Sequence, residues 1–236
     1  MTAPLLRLAE AGSTNDEARR LAAGGAPHGT AVTAARQTAG RGRLGRSWVS
    51  AEGAVALSVV VRPAMAPERV PLLTLAAAVA VARCCGEGWA IKWPNDVVGA
   101  RGEGKVAGIL AEADWAGGAL AFAVLGIGVN VTDAPPDVGA AALAALGPPP
   151  DRDELVDALV QEVVRWVDRL AHDGAAPVLD AWRARSNTLG QQVAVGEVRG
   201  TALDVDVDGA LLVRDAAGAV HRILAGDVAL VADHGR

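Results

Sequence analysis

Lys105 to Val131 reads KVAGILAEADWAGGALAFAVLGIGVNV, two apolar runs on either side of a glycine pair. The runs Val106 to Ala111 and Ala119 to Val131 are short, apolar and interrupted by small residues, as sheet strands are. Gly117 and Gly118 supply the turn chemistry of a tight hairpin, whose central residues take positive φ. Working outward, Trp89 to Trp93, Val55 to Val61 and Thr30 to Ala35 read as further strands, and the apolar run Val70 to Cys85, with Pro71 in its first turn, reads as a buried helix. Ser13 is placed to cap a helix from Asn15 to Ala23, with Asp16 and Glu17 in its first turn and Gly24-Gly25 ending it. Downstream, a Pro- and Ala-rich stretch, Asp133 to Pro150, reads as a linker. The capping pair Asp151 and Glu154 then opens a long helix with Leu155, Leu159, Val163, Trp166 and Leu170 on one face, and a second short helix lies near Trp182. From about residue 188 the period changes to two, with strands at Gln192 to Val195, Ala202 to Val207, Leu211 to Val213 and Val220 to Leu224. The expected architecture is therefore α+β: a mixed sheet with flanking helices over 1–187, followed by a small β-barrel over 188–236.

The chain has 236 residues, 51% of them hydrophobic, and a formal net charge of -5. That balance gives no global attraction to nucleic acid and a weak repulsion from anionic membranes. The longest apolar stretch, Val70 to Cys85, is short for a membrane span and carries Arg83. The opening residues Met1 to Ala11 contain Arg7 and Glu10 and lack the apolar segment of a secretion signal. The two cysteines, Cys84 and Cys85, are adjacent in that apolar run and suit a reducing, cytoplasmic compartment better than a disulfide framework. Of 22 basic residues only Lys92 and Lys105 are lysines. An ammonium is a point charge that a planar guanidinium does not imitate, which makes both candidates for a site.

The segment Arg36 to Ser47, RQTAGRGRLGRS, holds four arginines and three glycines without hydrophobic periodicity. Glycines let backbone N–H groups converge on an anion, and closely spaced arginines add bidentate donors for phosphate. The other reading is a flexible basic loop that meets RNA nonspecifically. Trp48 beyond it is either a stacking platform for a base or a core residue. KWPND, Lys92 to Asp96, combines a cation, an aromatic, a rigid turn and a carboxylate at a strand end, where α/β sheets collect ligands, or forms an ordinary Pro-Asn-Asp turn. In GIGVN, Gly126 to Asn130, two glycines within a strand imply close approach by another group. Asp204, Asp206, Asp208, Gly209 and Asp215 have the spacing of a calcium loop, but Val205 and Val207 continue a strand alternation, which favours a hairpin.

Taken in order, STN (Ser13 to Asn15), QTAGRGRLGRSW (Gln37 to Trp48), KWPND, KVAGILAE and GIGVN resemble the biotin protein ligase family across nearly the whole chain. The resemblance implies a class II synthetase-like catalytic domain followed by an SH3-like barrel. Twelve residues precede Ser13, so the form expected is one without the N-terminal helix-turn-helix domain, and hence without DNA. It implies ATP and biotin as substrates and Mg²⁺ as cofactor. The implied partner is the biotin carboxyl carrier protein domain of acetyl-CoA carboxylase or a related enzyme, the ligase acting as monomer or homodimer.

Residue by residue, the resemblance assigns biotin contacts to Ser13, Thr14, Asn15, Gln37, Gly40, Arg41, Arg43, Lys105 and Gly108. It assigns nucleotide contacts to Arg41, Arg43, Trp48, Asn95, Lys105, Gly128 and Asn130. Catalysis falls to Lys105, Arg43 and Asp96, with Asp96 also at the metal. One departure is the segment Gly139 to Leu143, GAAAL, where relatives often carry a hydroxyl. Two alternatives stay open: a lipoate or octanoate transferase of related fold, and a non-enzymatic nucleotide- or RNA-binding module built on the arginine loop.

Overall fold

The computed structural model describes residues 3–51, 53–136 and 139–231. Within them the first part of the chain runs β1 (Leu5–Ala11), α1 (Thr14–Ala23), β2 (Ala31–Gln37), β3 (Val55–Val61), α2 (Leu72–Cys85), β4 (Trp89–Lys92), β5 (Asp96–Gly99), β6 (Lys105–Ala116), β7 (Ala119–Val129), α3 (Arg152–Asp173) and α4 (Ala176–Arg183). The seven strands form one mixed sheet in the order β1-β2-β3-β7-β6-β5-β4. Only β1 and β2 pair in parallel; every other neighbour is antiparallel.

Every residue of β3, VALSVVV, is buried, and the alternation of its neighbours gives the reason. Ala31, Val59, Val61, Ala123 and Leu125 pack with α2 and α3 in the main core, whereas Val32, Val60, Phe122 and Val124 pack with Ala18 and Ala22 of α1. Successive side chains of a strand face opposite ways, so helices cover both faces and a central strand has no wet side. On β7 the α1 face continues from Phe122 and Val124 to Gly126 and Gly128. The bulk disappears there, and this is where the sheet opens a cleft.

The tail forms β8 (Gln192–Val195), β9 (Val198–Val205), β10 (Leu211–Arg214), β11 (Val220–Ile223) and β12 (Ala229–Leu230), a five-stranded antiparallel sheet in the order β11-β10-β9-β8-β12, the small SH3-like barrel expected. Residues 232–236 of that call lie outside the described residues. The barrel is bolted to the larger part. Trp93 Nε1 donates to Gly209 O at 3.0 Å, Trp93 N to Thr188 Oγ1 at 2.9 Å, and Gly209 sits against Leu72 and Leu75 of α2.

Several expectations need correction. Leu5–Ala11, to which the sequence reading assigns no element, is an edge strand; most of its residues are partly or fully exposed, so burial follows no alternation. Ser13 occupies the N-cap position of α1, but its side chain makes no capping bond. KWPND is not a strand end alone: Lys92 pairs with Asp96 across a three-residue turn that leads directly into β5. The stretch after Val131 is more than a linker, because Lys105 N donates to Gly139 O at 2.6 Å, Ala141 N donates to Lys105 O at 2.9 Å, and Ala141 to Leu143 are buried. Asp137 and Val138 of that stretch lie outside the described residues. The strand read from Ala202 begins earlier, at Val198, and ends at Val205.

Other readings hold. Asp151 caps α3, accepting from the backbone N–H groups of Asp153 and Glu154, and Leu155, Leu159, Val163, Trp166 and Leu170 are buried. The carboxylates with calcium-loop spacing lie on hairpins and all have partners: Asp204 is ion-paired with Arg183, Asp206 and Asp208 with Arg222, and Asp215 Oδ2 lies 2.6 Å from His221 Nε2. Burial pushes the Cys85 thiol up to about 12, so it packs as a small hydrophobe. No helix among the described residues is long and apolar enough to cross a membrane.

Candidate active site

A cleft of about 420 Å³ opens on the α1 side of the sheet. Of the residues singled out from the sequence, Ser13, Thr14, Asn15, Gln37, Arg41, Arg43, Trp48, Asn95, Asp96, Lys105, Gly108, Gly128 and Asn130 all line it. Gly40 does not. It sits at the base of the loop, where Trp48 N donates to its carbonyl at 2.9 Å and a Cβ would press into Trp48 O.

One wall is a buried polar network built on the N-terminus of α1. Thr14 N and Thr14 Oγ1 both donate to Gln37 Oε1, at 2.8 and 3.0 Å. Ser58 Oγ lies 2.8 Å from Thr14 Oγ1 and 2.6 Å from Asn15 Oδ1. Asn15 Nδ2 in turn donates to Glu112 Oε2 at 2.6 Å. Ser13, Thr14, Asn15 and Ser58 are all buried, and in the network the polar atoms satisfy one another. A Cβ on Gly126 would overlap Asn15 Oδ1, which is why β7 carries glycine there.

The floor is Gly108 and Gly128, a directly paired couple on β6 and β7. A Cβ on Gly128 would overlap the Trp48 indole, and one on Gly108 would stand 3.1 Å from both Trp48 and Lys105. Trp48 therefore lies on the sheet as an aromatic plate and is no core residue. Lys105 Nζ is 5.7 Å from its ring centre, within cation–π range. Asn130 donates from Nδ2 to Ala141 O at 3.0 Å, while its buried Oδ1 has no hydrogen-bond partner among the described residues.

The third side is cationic. Arg41 makes a two-pronged pair with Asp16, 2.7 Å on each arm, and reaches Glu112 at 3.3 Å. The hydrogen bond from Arg41 holds the Asp16 carboxyl below its usual range. Arg43 donates to Asn95 Oδ1 at 2.8 Å and to Gly226 O at 3.3 Å, and pairs with Asp227 at 3.3 Å; Arg46 also pairs with Asp227. Lys105 Nζ lies 2.6 Å from Asp96 Oδ1, a close ion pair without the alignment of a hydrogen bond. Arg36, the remaining loop arginine, turns away to Glu10.

Sequence reasoning missed Ser58, Glu112, Asp227 and the 139–140 backbone. Ser58 had a signal, a lone hydroxyl in an apolar strand. Glu112 shares a strand face with Gly108 and was legible by the period of two. Asp227 had none, because it meets Arg43 and Arg46 from 181 or more residues away.

A mixed sheet with helices on both faces, a glycine-floored cleft rimmed by an arginine loop, and a small barrel closing one side define a class of α+β proteins. Residues 12–130 match the model of the biotin/lipoate A/B protein ligase family, and residues 188–231 that of the biotin protein ligase C terminal domain. The chain belongs to this family. A biotin acetyl-CoA-carboxylase ligase of Paracoccus denitrificans is 38% identical over 231 residues, covering 89% of this chain and 94% of that protein. One from Mycobacterium tuberculosis is 41% identical over 244 residues, covering 94% and 86%. The biotin protein ligase from Aquifex aeolicus, solved in complex with biotin and ATP, superimposes with a TM-score of 0.80 at 28% identity, covering 97% of this chain and 98% of that one.

Proposed function

We propose that this chain is a biotin protein ligase that activates biotin with ATP to biotinyl-5'-AMP, releases pyrophosphate, and transfers biotin to one lysine of a carrier domain of acetyl-CoA carboxylase or a related enzyme. The observation that carries the proposal is the junction of two surfaces in one cleft: a buried hydrogen-bonding wall that fits a small polar ring, and a cluster of cations that fits phosphates. The named relatives support the choice of biotin.

In the first step a carboxylate oxygen of biotin attacks the α-phosphorus of ATP. The P–O bond to the leaving pyrophosphate breaks, and the pyrophosphate carries away the electron pair. Two anions must meet, and unit charges near 4 Å repel by about 4 kcal/mol at an effective dielectric of 20, roughly three decades in rate. Lys105 and Arg43 are the side chains we assign to cancel that repulsion. Ser13, Thr14, Asn15, Gln37 and Gly108 hold the biotin ring, with Arg41 toward its carboxylate. Trp48, Asn95, Gly128 and Asn130 hold the nucleotide, and the orphaned Asn130 Oδ1 accepts a hydrogen bond from it.

Mg²⁺ is commonly held by one or two carboxylates together with substrate phosphates, and Asp96, a carboxylate in the cleft, fits that role with Asn95 beside it. Bound there, the ion would neutralise phosphate charge. In the second step the carrier amine attacks the mixed anhydride and AMP leaves. A lysine amine with a reference pKa near 10.4 is less than about one part in a thousand neutral at pH 7, so a carboxylate that accepts its proton helps, and Asp96, which lines the cleft, is the one we assign to it. The arginine loop acts as a lid that keeps water from the anhydride.

The catalytic part spans 1–187 and the barrel 188–236, and the reaction belongs in the cytoplasm. The test is purified protein with ATP, Mg²⁺, biotin and a biotin carrier domain, read by intact mass. Addition of one biotin to the carrier is expected; AMP formation driven by lipoate or octanoate in place of biotin would overturn the reading.

A further inference from the structure

The turn Trp93-Pro94-Asn95 is a meeting point of positive charge. Arg43 is bound to Asn95, Lys105 is bound to Asp96, and Lys92 opens the same turn, directly opposite Asp96 in the β4/β5 register. Residues directly opposite in an antiparallel pair put their side chains on the same face of the sheet, about 5 Å apart. Trp89 and Ile91 alternate into the core, so Lys92 takes the other face, and it lines the cleft.

The cations lining the cleft are Arg41, Arg43, Arg46, Lys92 and Lys105. Four of them are paired with carboxylates, namely Arg41 with Asp16 and Glu112, Arg43 and Arg46 with Asp227, and Lys105 with Asp96. Lys92 alone among them has no ion pair or hydrogen bond to a described residue, even though Asp96 is its cross-strand neighbour; that carboxylate is turned to Lys105. A partly buried ammonium without a counter-ion is costly unless an anion meets it. A chain that uses arginine for its other 20 basic residues keeps lysine at 92 and 105, both in this cleft.

We propose that Lys92 binds the pyrophosphate end of the nucleoside triphosphate and follows it as it leaves. This rests on the ATP-dependent activation proposed above. Lys105 serves the reacting α-phosphorus, where attack occurs; the bond broken there leaves a multiply charged pyrophosphate, and a compact ammonium with three rotating donors can track those oxygens as they move away. The two lysines thus divide the triphosphate between them on either side of Asp96.

The experiment is biotin-dependent exchange of labelled pyrophosphate into ATP, comparing wild type with Lys92→Gln and Lys92→Arg. Loss of a charge-assisted contact is expected to raise the KM for pyrophosphate about tenfold or more in Lys92→Gln, with the KM for biotin unchanged and part of the loss restored in Lys92→Arg. A second measurement needs no variant: with two lysines in the chain, peptide mass mapping of amine acetylation reads each one, and inorganic pyrophosphate alone should protect Lys92. An unchanged KM for pyrophosphate, or equal acetylation of Lys92 with and without it, overturns the assignment. So does a variant whose only defect is a raised KM for the carrier domain. If wild type makes no biotinyl-adenylate at all, it is the ligase reading that fails.

Discussion

The two sides of the cleft are built on opposite physical plans. The wall of Thr14, Asn15, Gln37, Ser58 and Glu112 is internal: its members are buried or nearly so, its hydrogen bonds run between strands and a helix start, and Gly126 leaves it no room to shift. The loop of Arg41, Arg43 and Arg46 is external. Its tip, Leu44, is 76% exposed and takes a φ of 55°, and the loop is held by ion pairs to α1 and to the barrel. Partly exposed pairs of that kind are worth about 0–1 kcal/mol each, whereas an unsatisfied buried polar group costs about 1–3 kcal/mol. The comparison teaches that the wall is preorganised while the loop is cheap to detach, which is what the lid proposed above requires.

Lys105 lies where the two plans meet, and its removal is the largest expected effect. Lys105→Gln should cost biotin-dependent pyrophosphate exchange about three decades, from the repulsion it leaves uncancelled. Near wild-type exchange would show that the charge at the reacting centre comes from elsewhere.

Breaking the wall comes next. Ser58→Ala removes a partner from both Thr14 and Asn15 and is expected to destabilise the fold by about 1–3 kcal/mol, a fall in melting temperature of about 2–4 °C per kcal/mol for a chain of this size. Calorimetry decides it; a wild-type midpoint would mean that the network tolerates the loss.

Breaking the latch sharpens the contrast from the other side. Asp227→Asn leaves the hydrogen bonds of Arg43 to the uncharged acceptors of Asn95 and Gly226 but removes the charge partner of Arg43 and Arg46. Stability should change by less than about 1 kcal/mol, while backbone amides of residues 40 to 47 exchange faster with solvent. An unaltered exchange pattern would show that the barrel does not restrain the loop.

The smallest effect is in pH. Asp16 has its folded pKa held below 3.8 by the hydrogen bond from Arg41, so its contribution is present above that value and is lost as pH falls through the lowered one. Half-exposed and screened, it should loosen the loop in acid with little change in melting temperature, and loop exchange measured from pH 5 downward checks it.

Much of this was legible before folding. The Gly117-Gly118 hairpin, the strand Val55–Val61, the amphipathic register of α3 and the close approach at Gly126 and Gly128 follow from local chemistry: a positive φ, a period, a missing Cβ. The illegible parts are of another kind. Leu5–Ala11 has no apolar alternation because an edge strand there is largely solvated, and Gly139 and Ala140 look like linker because they contribute backbone, which side-chain pattern does not report.

By itself, then, the amino-acid order determined most of the elements and their buried faces, since those depend on interactions within a few residues or on a repeating period, while the side chains expected at the cleft came from the resemblance of its motifs to a family. Only the tertiary structure decided which charges meet: that Arg43 answers to Asp227 of the barrel, that Asp96 turns to Lys105, and that Lys92 has no counter-ion among the described residues. Ion pairing falls off over a few ångströms of space and is indifferent to separation along the chain, so no local pattern could have announced it.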